Sequence, residues 1–142
     1  MGTILLVSVI LFVFIIIITF YQRYQLKRGA DKIQDSKQVI SLTDETFGEA
    51  ISSGVTLVDF WAPWCGPCRA QNPVINKIAE EYSDKAKICK INVDDHKKAA
   101  VQMKIKNIPN IIIFKDGEAV MQIIGAKPKH QITKALNSVI EN

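Results

Sequence analysis

Cys65 and Cys68 stand two residues apart in the run FWAPWCGPCRAQNP, Phe60 to Pro73. Two thiols at this spacing can hold a metal ion, close a small loop, or pass electrons as a dithiol–disulfide pair. A structural zinc site needs four ligands, generally as two close pairs. Here no second pair exists: Cys89 sits in the middle of a strand pattern, and His96 and His130 are far apart in the chain on separate elements. Pro67 also stiffens the knuckle that would have to wrap an ion. Three cysteines in all, an odd number, do not build a disulfide scaffold. One close pair plus one single thiol suits a reducing compartment with a working dithiol.

The surrounding residues favour electron exchange. The pair follows VTLVDFWA, a strand pattern, and opens a helix pattern that runs to about Tyr82. Cys65 therefore meets the unpaired amides and partial positive charge of a helix N-terminus, which stabilise a thiolate and make it the nucleophile. Cys68, one turn into the helix, is close enough to attack a mixed disulfide on Cys65. Gly66 lets a partner backbone approach, and Pro67 fits a first helical turn, where its missing N–H costs nothing. Pro73 either starts a second helix or kinks a single one. The apolar positions Val74, Ile75, Ile78, Ala79 and Tyr82 form one continuous face, which favours a single helix. Asp59 puts a carboxylate in an otherwise core-like strand. Unless its side chain turns to a sheet end, burial should raise its pKa and let it take the proton from Cys68 and return it later. In KNIPNIII, Ile108-Pro109 enters a strand directly; a cis bond there would turn the chain sharply and present Ile108 backbone groups to a bound peptide.

The elements that must position these residues alternate from Val39 onward. VISL is a short strand, and Thr43 is placed to cap a helix to about Ser52 with Asp44 and Glu45 in its first turn. After the active-site strand and helix come a strand in AKICKINVD and a short helix from His96 to Met103. Two further strands are joined by Asp116-Gly117, a tight hairpin signal. A last helix, Lys127 to Ile140, turns Ile132, Leu136, Val139 and Ile140 inward. The order β-α-β-α-β-α-β-β-α predicts a three-layer α/β domain whose central sheet is mixed: parallel across the helical crossovers, antiparallel at the final hairpin.

Ahead of this domain, Met1 to Gln22 carries no charged side chain. Thr3 to Tyr21 would rise about 28 Å as a helix, close to the roughly 30 Å hydrocarbon core of a bilayer. A cleaved secretory signal would carry Lys or Arg ahead of the apolar run and small residues at its end; this sequence has neither. The expected organisation is an N-terminal transmembrane helix at 1–21, a polar juxtamembrane tether at 22–38 and a catalytic domain at 39–142. Arg23, Lys27, Arg28 and Lys32 follow the span, which by the positive-inside rule places the domain in the cytoplasm of a single-pass protein. Residues 38–142 hold thirteen Lys+Arg against twelve Asp+Glu. The formal +4 of the whole chain is therefore mostly a membrane-proximal feature suited to anionic lipid, and no nucleic-acid surface is indicated.

Several separated motifs now agree. VDFWAPWCGPC, Pro73, KINVDD, IPNIIIFKDG and IIGA resemble, in order, the active-site strand and turn, kinking proline, third strand, cis-proline strand and substrate-facing glycine of the thioredoxin family. The resemblance covers about Val39 to Ile140. It implies the thioredoxin fold and reduction of protein disulfides, with Cys65 attacking, Cys68 resolving and Asp59 a buried proton acceptor near Lys90. It also implies a redox-active Cys65–Cys68 disulfide and a substrate-docking surface of Trp64, Gly66, Pro67, Ile108, Pro109, Gly125 and Ala126. No bound cofactor is implied; electrons would come from NADPH through a thioredoxin reductase, and disulfide-containing proteins would be the substrates. Gly-Pro between the cysteines is the pairing of the family's reducing members. Asn110 stands where threonine is common, Arg69 and Gln71-Asn72 make the active-site helix more polar than in many relatives, and the apolar N-terminus is an addition. Cys89 is expected to be a buried core thiol. The leading expectation is a membrane-tethered reductase at the cytoplasmic face. The alternatives are an extracytoplasmic thiol reductase for cytochrome maturation or envelope proteins, and a non-catalytic adaptor.

Overall fold

The computed structural model describes the backbone of residues 2–30 and 34–142, and the side chains of residues 7–21 and 34–142. The chain divides into two units, Met1–Ile33 and Gln34–Asn142. The first contains helix α1, Gly2–Ala30. The apolar side chains of α1 between Val7 and Tyr21 that are exposed lie at 40–73% on all sides of the helix. Among the described residues no helix is long and apolar enough to cross a membrane. Side chains are described for fifteen residues of α1, about 22 Å of helix. Thr3 to Leu6, which complete the apolar run in the sequence, and the basic residues Arg23 to Lys32 lie outside the described side chains.

The second unit contains β1 (Val39–Leu42), α2 (Phe47–Ile51), β2 (Val55–Trp61), α3 (Gly66–Glu81), β3 (Lys87–Asn92), α4 (Lys97–Gln102), β4 (Asn110–Lys115), β5 (Glu118–Ile124) and α5 (Lys129–Ile140). One five-stranded sheet has the order β1-β3-β2-β4-β5. β1, β3 and β2 run parallel, while β4 and β5 are antiparallel to their neighbours. The sheet is mixed, as the element order predicts, and α2 and α3 span its parallel part. β4, however, follows α4 and still runs antiparallel to β2, because it enters on the far side of β2 rather than beside β3, so the antiparallel part begins one strand before the hairpin. Asp116 (φ 49) and Gly117 (φ 91) both occupy positive φ, the backbone of a type I′ turn, which matches strand twist.

The core lies on both faces of the sheet because β2, β3 and β4 are central and buried on both sides. One face packs Phe47, Phe60 and Phe114 with Val58, Cys89, Ile91 and Ile112; the Phe47 ring meets the other two edge-on, with centroids 6.1 and 5.8 Å away. The opposite face packs Leu57, Ile88, Ile111 and Ile113 against Ile75, Ile78 and Ala79 of α3 and Ile132, Leu136 and Val139 of α5. Alternation along β2 and β3 puts Asp59 and Lys90 on the α3 side of the sheet. Ile140, expected inward, is half-buried.

The opening of α2 departs from the capped helix expected from Thr43. Thr43 and Thr46 exchange hydrogen bonds, the Thr43 N–H donating to Thr46 Oγ1 (2.9 Å) and the Thr46 N–H to Thr43 Oγ1 (3.3 Å). Residues 44–46 form a turn and the helix begins only at Phe47. Such side-chain-to-backbone bonds offer the chain an alternative to helix. Asp44 instead accepts from the Ala99 N–H (2.9 Å) at the start of α4.

Candidate functional site

β2 ends at Trp61, and the chain turns through Ala62, Pro63 and Trp64 so that Cys65 becomes the N-cap of α3. Its N–H donates to the Ala62 carbonyl at 3.1 Å and its carbonyl accepts from the Arg69 N–H at 3.2 Å. In extended conformation (φ −79°, ψ 105°), Cys65 aims its sulfur back over the first turn, where the Cys68 N–H donates to Sγ at 3.2 Å. A cap side chain satisfies an amide that the helix cannot. Here the cap is a sulfur, and a negative charge on it would be held by that amide and by the helix dipole.

Cys65 and Cys68 are joined by a disulfide, with Cα atoms 5.3 Å apart. The pair is 4% and 2% exposed, packed with Ala62 and flanked by Trp61, Val93 and Ile108. Pro67 occupies the first turn of α3, and Pro73 lies inside one uninterrupted helix, so the continuous apolar face decided correctly against two helices.

The docking residues expected from the resemblance separate into three stretches around the sulfurs. Trp64 is 68% exposed, and its indole N–H donates to Asp94 Oδ2 at 2.8 Å, which fixes an otherwise free ring. Gly66 and Pro67 are exposed. Apart from the flanking residues and the backbone of α3 itself, no atom of the described residues lies within 4 Å of where a Gly66 Cβ would stand, so their packing does not require glycine and the space is open to a partner. The Ile108-Pro109 peptide is cis. Ile108 packs on the sulfur cluster, Pro109 is buried, and the Pro109 carbonyl accepts from the Gly125 N–H at 2.8 Å. Gly125 (φ 80) takes a backbone conformation that favours glycine, and Ala126 is exposed beside it.

Sequence reasoning noted Gln71-Asn72 only as unusually polar. Gln71 is buried; its Oε1 accepts from the Lys127 N–H (2.7 Å) and its Nε2 donates to the Lys127 carbonyl (3.1 Å). Both backbone groups of one residue are thus clipped to α3, holding the loop that carries Gly125 and Ala126. Asn110, at the family's threonine position, is buried and accepts from Gln122 Nε2 at 3.1 Å.

Asp59 is 1% exposed, and neither carboxylate oxygen has a hydrogen-bond partner. Burial pushes its pKa up to about 7; the Lys90 ammonium pulls against that shift and the Asp35 carboxylate adds to it. This is the raised carboxyl that the strand pattern predicts, not one turned to a sheet end. Lys90 is its cross-strand neighbour in register and is 2% exposed. The ammonium is engaged elsewhere, however. It donates to Asp35 Oδ1 at 2.6 Å and Asn72 Oδ1 at 2.5 Å, and lies 4.5 Å from the centroid of the Trp61 ring. Residues 34–38, placed in the tether by composition, belong to the compact unit. No motif or spacing marked Asp35; it sits in a polar stretch and meets the site only through tertiary packing.

Cys89 faces the other side of the sheet, fully buried, and burial pushes its thiol up to about 12, as suits an inert core residue. Among the described residues no group of three or more His, Cys, Asp or Glu side chains is placed to hold a metal ion.

Comparison with known proteins agrees with this geometry. The thioredoxin family profile matches residues 38–138. The chain is 43% identical to a thioredoxin of Staphylococcus haemolyticus over 70% of this chain and 95% of that protein. It is 46% identical to thioredoxin 1 of Synechococcus elongatus over 68% of this chain and 92% of the relative. For a thioredoxin of Pyropia yezoensis the identity is 48%, covering 72% and 97%. The chain belongs to the thioredoxin family, and its cysteine pair makes it a thiol-disulfide oxidoreductase.

Proposed function

We propose that this protein reduces disulfides in other proteins at the cytoplasmic face of a membrane, to which α1 tethers it. The observation that carries the chemistry is the Cys68 N–H donating to Cys65 Sγ at the N-terminus of α3. In the reduced protein this amide stabilises a Cys65 thiolate. The thiolate attacks one sulfur of a substrate disulfide; a mixed disulfide forms and the other substrate sulfur leaves as a thiolate. Asp59 takes the proton of the Cys68 thiol, and the resulting thiolate attacks Cys65 Sγ. The second substrate sulfur departs, leaving the Cys65–Cys68 disulfide and Asp59 protonated. Two electrons have passed from the dithiol to the substrate. A thioredoxin reductase drawing on NADPH returns them. Trp64, Gly66, Pro67, Ile108, Pro109, Gly125 and Ala126 form the surface on which substrate and reductase dock, and Lys90 sets the electrostatic surroundings of Asp59.

Tethering is supported by the exposed apolar side chains of α1. An exposed apolar surface on every side of a helix calls for lipid or protein cover. The excess of basic residues after the apolar run supports cytoplasmic placement.

Insulin reduction with dithiothreitol as electron source tests the chemistry. Turnover should exceed the uncatalysed rate and vanish in Cys65→Ser; a Cys65→Ser variant with full activity would defeat the reading. A membrane-impermeant thiol reagent applied to intact, reduced cells tests topology. Cytoplasmic placement leaves Cys65 unlabelled until the membrane is opened, whereas prompt labelling would make the protein an extracytoplasmic reductase.

A further inference from the structure

Two buried, oppositely charged neighbours on adjacent strands normally pair, because each otherwise carries its full desolvation penalty. Asp59 and Lys90 are such neighbours, in register and nearly unexposed. Yet the Asp59 oxygens are unpartnered while the Lys90 ammonium binds Asp35 and Asn72. The cation is drawn off by a residue from the segment before β1.

That segment is itself held. The Gln34 carbonyl accepts from Asn76 Nδ2 at 2.9 Å and Asn72 Nδ2 at 3.4 Å, and the Ser36 N–H donates to Asn76 Oδ1 at 3.1 Å. Asn72 therefore bridges: its amide nitrogen grips the segment and its oxygen accepts from Lys90. Asn72, one of the polar residues that looked out of place in an active-site helix, and Asn76 are the seat of this strap.

We propose that Asp35 is a positioning residue for the redox reaction: with Asn72 it holds the Lys90 ammonium off Asp59, so that the Asp59 carboxyl stays unpaired and free to exchange a proton with Cys68. The proposal rests on the reading of Asp59 as proton acceptor. The groups that bear on Asp59 are few. Lys90 on β3 and Asp35 on the strap carry charge; Asn72 of α3, which binds Lys90, is neutral, and the β4 neighbour is apolar Ile111. An ion pair with Lys90 would keep Asp59 ionised and make it a poor proton acceptor at neutral pH. Diverting the cation leaves burial dominant, in agreement with the raised Asp59 pKa.

The test uses the full chain in detergent micelles in its oxidised form, where Cys65 and Cys68 cannot titrate, and follows the Asp59 carboxyl carbon by NMR across pH. In Asp35→Asn, which keeps shape and removes charge, Lys90 acts on Asp59 without opposition. The Asp59 midpoint should fall by roughly half a unit to one unit, and Asp35→Glu should bring it back toward wild type. The rate of mixed-disulfide resolution should shift its pH profile the same way. An unmoved Asp59 midpoint in a folded Asp35→Asn protein overturns the proposal. A midpoint that moves while resolution keeps its pH profile upholds the electrostatic action of Asp35 on Asp59 and refutes the role of Asp59 in resolution instead. Should Asp35→Asn fail to fold, Asn76→Ala, which loosens the strap without altering a charge, carries the same NMR test with the same two readings.

Discussion

The raised pKa of Asp59 makes a prediction about stability as well as reactivity. Unfolded, an aspartate titrates near its ordinary value of 3.8; folded, Asp59 titrates at about 7. Below the lower value both states are protonated and the group contributes no difference. Between the two, the unfolded chain releases a proton that the folded chain keeps, so folding is progressively disfavoured as pH rises. Above the folded value both are ionised and the penalty is complete. Three units of separation at roughly 1.4 kcal/mol each amount to about 4 kcal/mol, of which roughly 3 kcal/mol accrues between pH 5 and 8.5. Asp59→Asn removes this dependence. The buried amide it introduces has no partner and costs about 1–3 kcal/mol at every pH, so the informative quantity is how the difference between variant and wild type changes with pH. Guanidinium unfolding of residues 34–142, with the disulfide intact, can be followed by fluorescence of Trp61 and Trp64, the chain's two tryptophans. The stability of Asp59→Asn relative to wild type should improve by about 3 kcal/mol on going from pH 5 to 8.5. A difference that stays constant over that range would show that Asp59 is not a high-pKa carboxyl, and the proton-transfer step assigned to it would fall with it.

Alkylation of the reduced protein by iodoacetamide should show a Cys65 midpoint below the roughly 8.5 of an ordinary thiol, read as rate against pH; an ordinary or higher midpoint contradicts the cap geometry. Mass spectrometry at pH 7.5 should find at most two alkylated cysteines in the native reduced chain, the third appearing only on unfolding, because Cys89 is fully buried and its thiol is held up at about 12. Gln71→Leu strands the Lys127 N–H and carbonyl and should cost about 1–3 kcal/mol by denaturant unfolding. It should also raise the KM for insulin more than it lowers kcat, since the Gly125–Ala126 loop loses its anchor. Gly117→Ala places a side chain at positive φ in the hairpin and should cost about 1 kcal/mol without changing insulin turnover.

What the sequence discloses, and what it hides, follows from the range of the interactions involved. The sulfur pair, the helix start at Cys65 and the Asp116-Gly117 hairpin depend on neighbours a few residues apart, so spacing and residue type are enough to find them. That the sheet is mixed follows from the alternation of elements, because helical crossovers permit parallel pairing and a tight hairpin requires antiparallel pairing. The strand order, with β3 between β1 and β2 and β4 antiparallel beyond β2, depends on packing that no local pattern records. Asp59 was legible for a different reason: a carboxylate in a buried strand is an anomaly at single-residue level, whatever it packs against. α2 misled because Thr43 and Thr46 can satisfy each other's backbone amides and so compete with the helix they seem to cap. The partner of Lys90 was illegible because it depends on residues 35, 72 and 90, which come from three segments and carry no spacing rule. A buried lysine beside a buried aspartate suggests an ion pair on the arithmetic of charge alone. In the folded chain that inference fails because a third group, cheaper to desolvate at 26% side-chain exposure, reaches the ammonium first. The Asp59 carboxyl is therefore left unpaired by a contact outside the family's active-site motif. A chain that kept WCGPC and Asp59 but lost Asp35 would preserve every recognisable motif and still titrate differently.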